Sequence, residues 1–242
     1  MGSRAFVILL PPSEGKADGG DPAAEWAPED GVLGAALADS RRRVATTLSK
    51  AKGGSEKLLG VSGKHLQRAK AANSTLIGAP TLPAWQRYTG VVWDHLDLAS
   101  MSAADRRSAT TRIVVPSGLA GLVRGDDPLP DYRLKMGARL APLGTMARWW
   151  QPAVTEALRS VARGRTVVDL LPNEHRAAID WAAIDDVVRI DLVSRTGGAV
   201  GGHNAKAAKG LLARHLLSSK DVPIARSLAS FTHPEYSAKA RT

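Results

Sequence analysis

The densest chemistry in this sequence is a short run of cations. Tyr132-Arg133-Leu134-Lys135-Met136 is followed, after Gly137, by Arg139. Guanidinium forks and ammonium groups leaving one short segment can wall a cleft that receives phosphates or another polyanion. The same pattern also suits a half-exposed edge strand whose basic residues are simply solvated. Just upstream, Ser117-Gly118 and Gly121 form a small-residue turn that a backbone or a ligand can approach closely. Ser13, Glu14 and Lys16 sit in the turn Pro11-Pro12-Ser13-Glu14-Gly15-Lys16. That turn is not a P-loop, since the glycines and the Gly-Lys-Ser/Thr order are missing. Lys206, Gly210 and Arg214 recur every fourth residue, with Lys209 beside them. On a helix this is either a cationic stripe with a gap for a ligand or an ordinary basic solvent face. Glu174-His175 offers a carboxylate, the best candidate for a general base, next to an imidazole. No second ligand lies at metal-like spacing, so no metal site is expected. Finally, Gly60-Val61-Ser62-Gly63 precedes Lys64, Arg68 and Lys70. A glycine hairpin between two helical turns would expose backbone N–H groups to a phosphate. A plain helical corner explains the same residues.

Elements must bring these groups together. Phe6-Val7-Ile8-Leu9-Leu10 reads as a central, fully covered strand that ends at the Lys16 turn. Ile113-Val114-Val115, closed by Pro116, reads as another. Thr166–Leu171 is a third strand, ending at Pro172-Asn173-Glu174-His175, and Val187–Val193 is a fourth. In Tyr132–Met136 the strict alternation predicts a strand, with Tyr132, Leu134 and Met136 on one face and Arg133 and Lys135 on the other. Residues 31–52 predict a helix with Val32, Leu33, Ala36, Leu37 and Ser40 on its apolar face and Arg41-Arg42-Arg43 on the solvated side. Ser102 is expected to cap a helix over about 103–110. Met146–Ala162 predicts an amphipathic helix with Trp149, Ala153, Ala157 and Val161 in its stripe, stopped by Gly164. Asn204 onward predicts a helix with Ala208, Leu212 and Leu216 on its apolar stripe. Residues 17–30 and the prolines Pro80 and Pro83 read as irregular connections, and Thr196-Gly197-Gly198 as a hairpin turn. The aromatic cluster Trp85, Tyr88 and Trp93 suits core packing better than base stacking.

Composition narrows the function classes. The 242 residues carry 33 Lys+Arg against 23 Asp+Glu, a net charge of +10. Such a field favours nucleic acid, nucleotides or other anions. The absence of cysteine excludes disulfides, thiolate metal sites and peroxidase chemistry on a Cys of this chain. The first apolar run is too short for a signal-peptide core or a membrane span, so a soluble cytoplasmic protein is expected.

Taken together, the motifs are more specific than any one of them. Pro12-Ser13-Glu14-Gly15-Lys16, Tyr88-x-Gly90, Ser117-Gly118-Leu119-x-Gly121, Pro130-x-Tyr132-Arg133-Leu134-x-Met136-Gly137 and Ala205-Lys206-x-Ala208-Lys209-Gly210-Leu211 with Arg214 occur in that order. This series resembles the YaaA family of peroxide-stress proteins from residue 6 to about 217. The resemblance implies a single cytoplasmic α/β domain over residues 1–242, a mixed β-sheet surrounded by helices. It also implies a positively charged cleft, a helix-hairpin-helix at 58–71, DNA binding, and protection from oxidative damage linked to intracellular iron. No cofactor is implied, and the oligomeric state stays open. By carry-over, Lys16, Ser117, Gly118, Tyr132, Arg133, Glu174, Lys206, Lys209 and Arg214 match family positions. Lys135 replaces the family's acidic residue, Ala120 its tyrosine, and Pro172-Asn173-Glu174-His175 its Ser-x-Glu-Tyr. Two functions are therefore expected to compete. One is DNA gripped by its phosphate backbone, with Gly60, Gly63, Lys64, Arg68 and Arg139 joining the contact set. The other is an enzyme acting on a small phosphorylated or nucleotide-like anion.

Overall fold

Strand β1, Phe6–Leu9, is at most 2% exposed along its length, so neighbours cover both faces as its unbroken apolar run predicts. The computed structural model describes residues 5–195, 197 and 200–241. After β1 the chain forms β2 (Asp21–Glu25), α1 (Gly34–Lys50), α2 (Glu56–Leu59), α3 (Gly63–Ser74), β3 (Pro80–Pro83), α4 (Ala84–Arg87), α5 (Val91–Leu96) and α6 (Ala103–Thr110). It continues through β4 (Ile113–Ser117), β5 (Gly121–Arg124), β6 (Pro128–Pro130), β7 (Arg139–Leu140), β8 (Gly144–Thr145) and α7 (Met146–Val161). The last elements are β9 (Thr166–Asp169), α8 (Asn173–Arg176), β10 (Val187–Ser194), α9 (Gly202–Ser218), α10 (Ile224–Ser230) and β11 (Tyr236–Arg241).

The main sheet has six strands in the order β11-β10-β9-β1-β4-β5. β10, β9, β1 and β4 are mutually parallel, and β11 and β5 add antiparallel edges. This is the mixed α/β architecture that the strand–helix alternation implies. From β1 the chain moves to β4 on one side; from β9 it moves to β10 on the other. The strand order thus reverses between β1 and β9, the kind of crevice where open α/β sheets hold ligands beyond the carboxyl ends of their strands. Smaller sheets, β2-β3-β6 and β7-β8, lie outside the main one.

Several segments differ from their sequence-based reading, and tertiary partners explain most of the differences. Residues 17–30 are not wholly irregular, because β2 pairs antiparallel with β3, and β3 itself occupies the proline-rich connection. Tyr132–Met136 joins no sheet, yet its alternation survives: Tyr132, Leu134 and Met136 are buried while Arg133 and Lys135 are half-buried. The ladder partner is a side chain. Asn73 accepts from the Arg133 N–H at 2.9 Å and donates to the Arg133 carbonyl at 2.8 Å, as an adjoining strand would.

Helix α1 is rotated from its expected facing. Leu37, Arg41, Val44 and Leu48 are buried, and Arg41 is only 1% exposed. Its guanidinium donates to the carbonyls of Ala120, Leu122, Pro28 and Asp30, so the buried charge is held by four backbone acceptors. Helix α7 buries Ala157 of the expected stripe, but its main buried row is Met146, Trp150, Val154 and Leu158, one position on from Trp149, Ala153 and Ala157. Trp150 packs on Gly121, where a Cβ would stand 2.7 Å from the ring, and donates to the Gly118 carbonyl at 2.8 Å. Ser102 caps α6 through the Asp105 N–H, as expected. The hairpin expected at Thr196-Gly197-Gly198 falls on Thr196 and Gly198, outside the described residues, and the antiparallel partner of β10 is the distant β11.

Candidate functional site

Three parallel strands deliver their carboxyl ends to one place. Beyond β1 comes Pro12–Lys16, beyond β9 comes Glu174-His175, and β4 ends in the fully buried Ser117. The Tyr132–Met136 segment crosses over them. Pro12, Ser13, Glu14, Lys16, Tyr132, Arg133, Leu134, Lys135, Met136, Glu174 and His175 together line a narrow pocket of about 60 Å³. The crossing is possible because residue 118 is glycine: a Cβ there would run into the Leu134 carbonyl. Gly118 thus serves the approach of the chain's own backbone rather than of a ligand.

At the floor, three hydroxyls form a chain. The Tyr132 hydroxyl lies 2.9 Å from Ser117 Oγ and 3.0 Å from the Tyr88 hydroxyl. Ser117 Oγ also accepts from the Ala120 N–H. Burial pushes both tyrosines above the ordinary phenol range, so both stay protonated. Lys16 Nζ lies over the Tyr132 ring, 4.2 Å from its centroid, and 5.5 Å from that of Tyr88. It donates to the Ser13 carbonyl at 2.7 Å. Desolvation outweighs the attraction of Asp131 and Glu14 and lowers the Lys16 pKa to about 7.

At the mouth, Glu14 bridges two cations. Its carboxylate meets Arg133 Nη2 at 2.8 Å and Lys135 Nζ at 2.8 Å, which holds its pKa below the usual carboxylate range. Arg133 is fixed from behind by donating to the Leu59 carbonyl at 3.0 Å. Glu174 is exposed and accepts from the Gly137 N–H at 2.9 Å. His175 Nδ1 is buried without a hydrogen-bond partner, and desolvation first, then Lys209 and Lys16, depress its pKa. Lys209 donates to the Leu170 carbonyl at 2.6 Å, and burial lowers its pKa to about 8. Behind it the buried Asp169 accepts from Arg176 at 2.7 Å and Arg189 at 3.3 Å.

The other candidate residues lie elsewhere or are already engaged. Arg68 is taken up by Asp18, Asp131 and the Lys16 carbonyl. Arg214 donates to the carbonyls of Leu96 and Asp97 and to Ser100, closing the end of α5. Gly210 makes room for the Val92 carbonyl of α5 and not for a ligand, because helices α5 and α9 meet there. Lys64, Arg139 and Lys206 are exposed and line no part of the pocket. Gly60 caps α2 with a left-handed backbone at φ 62, beside the Lys135 ammonium, and Gly63 opens α3. Ala120 is buried in the core and Pro172 is exposed, so of the departures from the family pattern only Lys135 and His175 line the pocket.

Sequence reasoning passed over Asn73, Arg41, Asp169 and the second role of Tyr88. The first three carried a signal: each is a polar residue at an apolar position of a helix or strand. A roomier hollow of about 220 Å³, bounded by Arg159, Arg163 and Asp185, lies at the amino ends of β9 and β10 and includes none of the candidates. Among the described residues no group of three or more His, Asp or Glu side chains could hold a metal ion. Likewise, no helix among them is long and apolar enough to cross a membrane.

Comparison with known proteins agrees with this arrangement of motifs. A family model described as "Peroxide stress protein YaaA" matches residues 6–242. A UPF0246 protein of Streptomyces coelicolor is 36% identical over 226 residues, covering 90% of this chain and 85% of its own. A UPF0246 protein of Corynebacterium glutamicum is 33% identical over 236 residues, covering 93% and 91%. One of Corynebacterium efficiens is 34% identical over 222 residues, covering 88% and 86%. With both the ordered motifs and nearly the full length accounted for, this chain belongs to the YaaA family of peroxide stress proteins.

Proposed function

We propose that the protein seats a phosphate-type anion, as part of a small phosphorylated or nucleotide-like molecule, in the pocket between the loops after β1 and β9. The observation that carries this reading is Glu14. Its carboxylate sits between Arg133 and Lys135, where the oxygens of a bound phosphate would sit. Arg133 offers a planar fork and Lys135 a point charge, a donor pair suited to phosphate. Because the Glu14 side chain is 63% exposed, its ion pairs contribute only about 0–1 kcal/mol each. A doubly charged ligand can therefore displace it, leaving Lys16 and Tyr132 in the pocket wall to meet the rest of the molecule. The narrowness of the pocket favours a small ligand over a polymer. Titration calorimetry with sn-glycerol 3-phosphate tests this: binding that is lost in the Arg133→Met/Lys135→Met double variant supports it, and equal heats in both proteins oppose it.

A second reading, DNA held by its phosphate backbone, draws on a separate observation. The α2–α3 turn abuts the pocket, with Leu59 bonded to Arg133 and Gly60 beside Lys135. Lys64 is exposed at the start of α3, and the whole chain carries +10. A phosphate at that turn would place a neighbouring nucleotide at the pocket mouth. Fluorescence anisotropy with duplex DNA checks this reading: it requires affinity that falls steeply as salt rises, and no binding at 50 mM salt counts against it.

A further inference from the structure

We propose that Lys16 is a nucleophilic amine that forms an imine with the carbonyl carbon of a phosphorylated aldehyde or ketone seated in this pocket. The inference rests on the anion-seat reading above and adds the chemical class of the ligand. Lys16 lies in the wall of the pocket whose mouth carries Arg133 and Lys135, so a phosphate held at the mouth leaves the rest of its molecule facing the amine. Aromatic rings cover the amine on one side, and no carboxylate among the described residues is ion-paired to it. Its charged surroundings are Asp131, Arg133, Glu14 and Arg87, with His175 across the pocket. Balanced this way, and desolvated, the amine is about half neutral at pH 7. That is on the order of a thousandfold more than an ordinary lysine.

The step balances without any co-reactant. The neutral nitrogen attacks the carbonyl carbon and the C–N bond forms. The C=O π electrons move to oxygen, which takes up a proton, and the nitrogen gives one up. His175 then returns its proton to the carbinolamine hydroxyl, which leaves as water as the C=N bond forms, and the remaining N–H proton restores the Tyr132 hydroxyl. Groups for both proton transfers are in the pocket. Tyr132 keeps its O–H and can donate it, drawing on Ser117 and Tyr88 behind. His175, held neutral by burial and with Nδ1 unpartnered, can accept the proton from nitrogen.

The test is reductive trapping on the intact protein. Wild-type chain is incubated at pH 7 with D-glyceraldehyde 3-phosphate and sodium cyanoborohydride, then digested and mapped by mass spectrometry. Lys16 is expected to be modified at least about tenfold faster than exposed lysines such as Lys64 and Lys206. sn-Glycerol 3-phosphate, which has no carbonyl, is expected to protect it. Lys16→Arg is expected to lose the adduct. Modification spread over the exposed lysines, or none at Lys16, overturns the proposal. If glycerol phosphate binds and Lys16 is not trapped, the imine fails and the anion seat stands; if neither occurs, both fail.

Discussion

At the scale of single residues, burial has moved the usual ionisation of Lys16, Tyr132 and His175. Lys16 is the clearest case, with a pKa of about 7 against an ordinary 10.5. Burial depresses it, so the folded state binds fewer protons than the unfolded state between pH 7 and 10.5. Stability contributed through Lys16 therefore rises with pH across that window and is at its lowest below pH 7. Ligand binding has the opposite sign. A protonated Lys16 attracts an anion, so sulfate, whose own charge is constant here, should bind more weakly as pH rises from 6 to 8. Sulfate titrations at several pH values should show that decline in the wild type, and it should flatten in Lys16→Arg. Glu14 yields a second prediction at this scale. Removing its charge in Glu14→Gln frees the seat between Arg133 and Lys135, and sulfate affinity should increase roughly three- to fivefold, the equivalent of a surface ion pair. Calorimetry reads the change directly, and an unchanged or lower affinity would show that Glu14 does not compete for the seat.

At the scale of elements, the site depends on side chains that stand in for missing backbone. Asn73 on α3 completes the hydrogen bonding of Arg133, which no strand reaches. In Asn73→Leu, the Arg133 N–H and carbonyl are left unpaired, at a cost of about 1–3 kcal/mol. Urea unfolding should show that loss, and anion affinity should fall with it because Arg133 loses its support. Arg41 on α1 does similar work for four carbonyls. Arg41→Met should cost at least about 3 kcal/mol, seen as a melting temperature lower by roughly 6–12 °C. These two residues also mark where the sequence was hard to read. Strands β1, β4 and β9 were legible because unbroken apolar runs have one physical reading in a covered sheet, and β10 because its residues alternate. The alternation at Tyr132–Met136 correctly signalled which side chains are buried, but alternation reports burial, not pairing, and here the partner was an amide. Helix α1 was rotated because a charged residue on an apolar stripe is assigned to solvent unless its acceptors are known. The strands β2 and β3 escaped notice because their residues carry almost no apolar pattern; pairing alone makes them strands.

At the scale of the whole molecule, topology does what no single motif could. Loops after β1 and β9 are more than 150 residues apart in sequence, yet the parallel pairing of the two strands sets them side by side. The reversal of strand order there opens the crevice that the two loops line. Which cations reach it was only partly legible. Lys16, Arg133 and Lys135 line one pocket with Tyr132 and Glu174, whereas Arg68 and Arg214 are engaged in holding other elements and Lys206 faces solvent. Spacing along α9 could not separate these roles, because contact with α5 decides them. Net charge is a property of this scale too. If the +10 chain grips duplex DNA, affinity should fall by orders of magnitude between 50 and 200 mM salt, which anisotropy will register. Small-ligand binding in the pocket should survive that change far better, since one phosphate displaces far fewer counterions than a duplex.

The seat itself is tested most directly by one comparison: calorimetric titration of sn-glycerol 3-phosphate into the wild type, Glu14→Gln and the Arg133→Met/Lys135→Met double variant, at one pH and one salt concentration. The account predicts measurable binding to the wild type, tighter binding to Glu14→Gln and none to the double variant. Equal affinity in all three would contradict it.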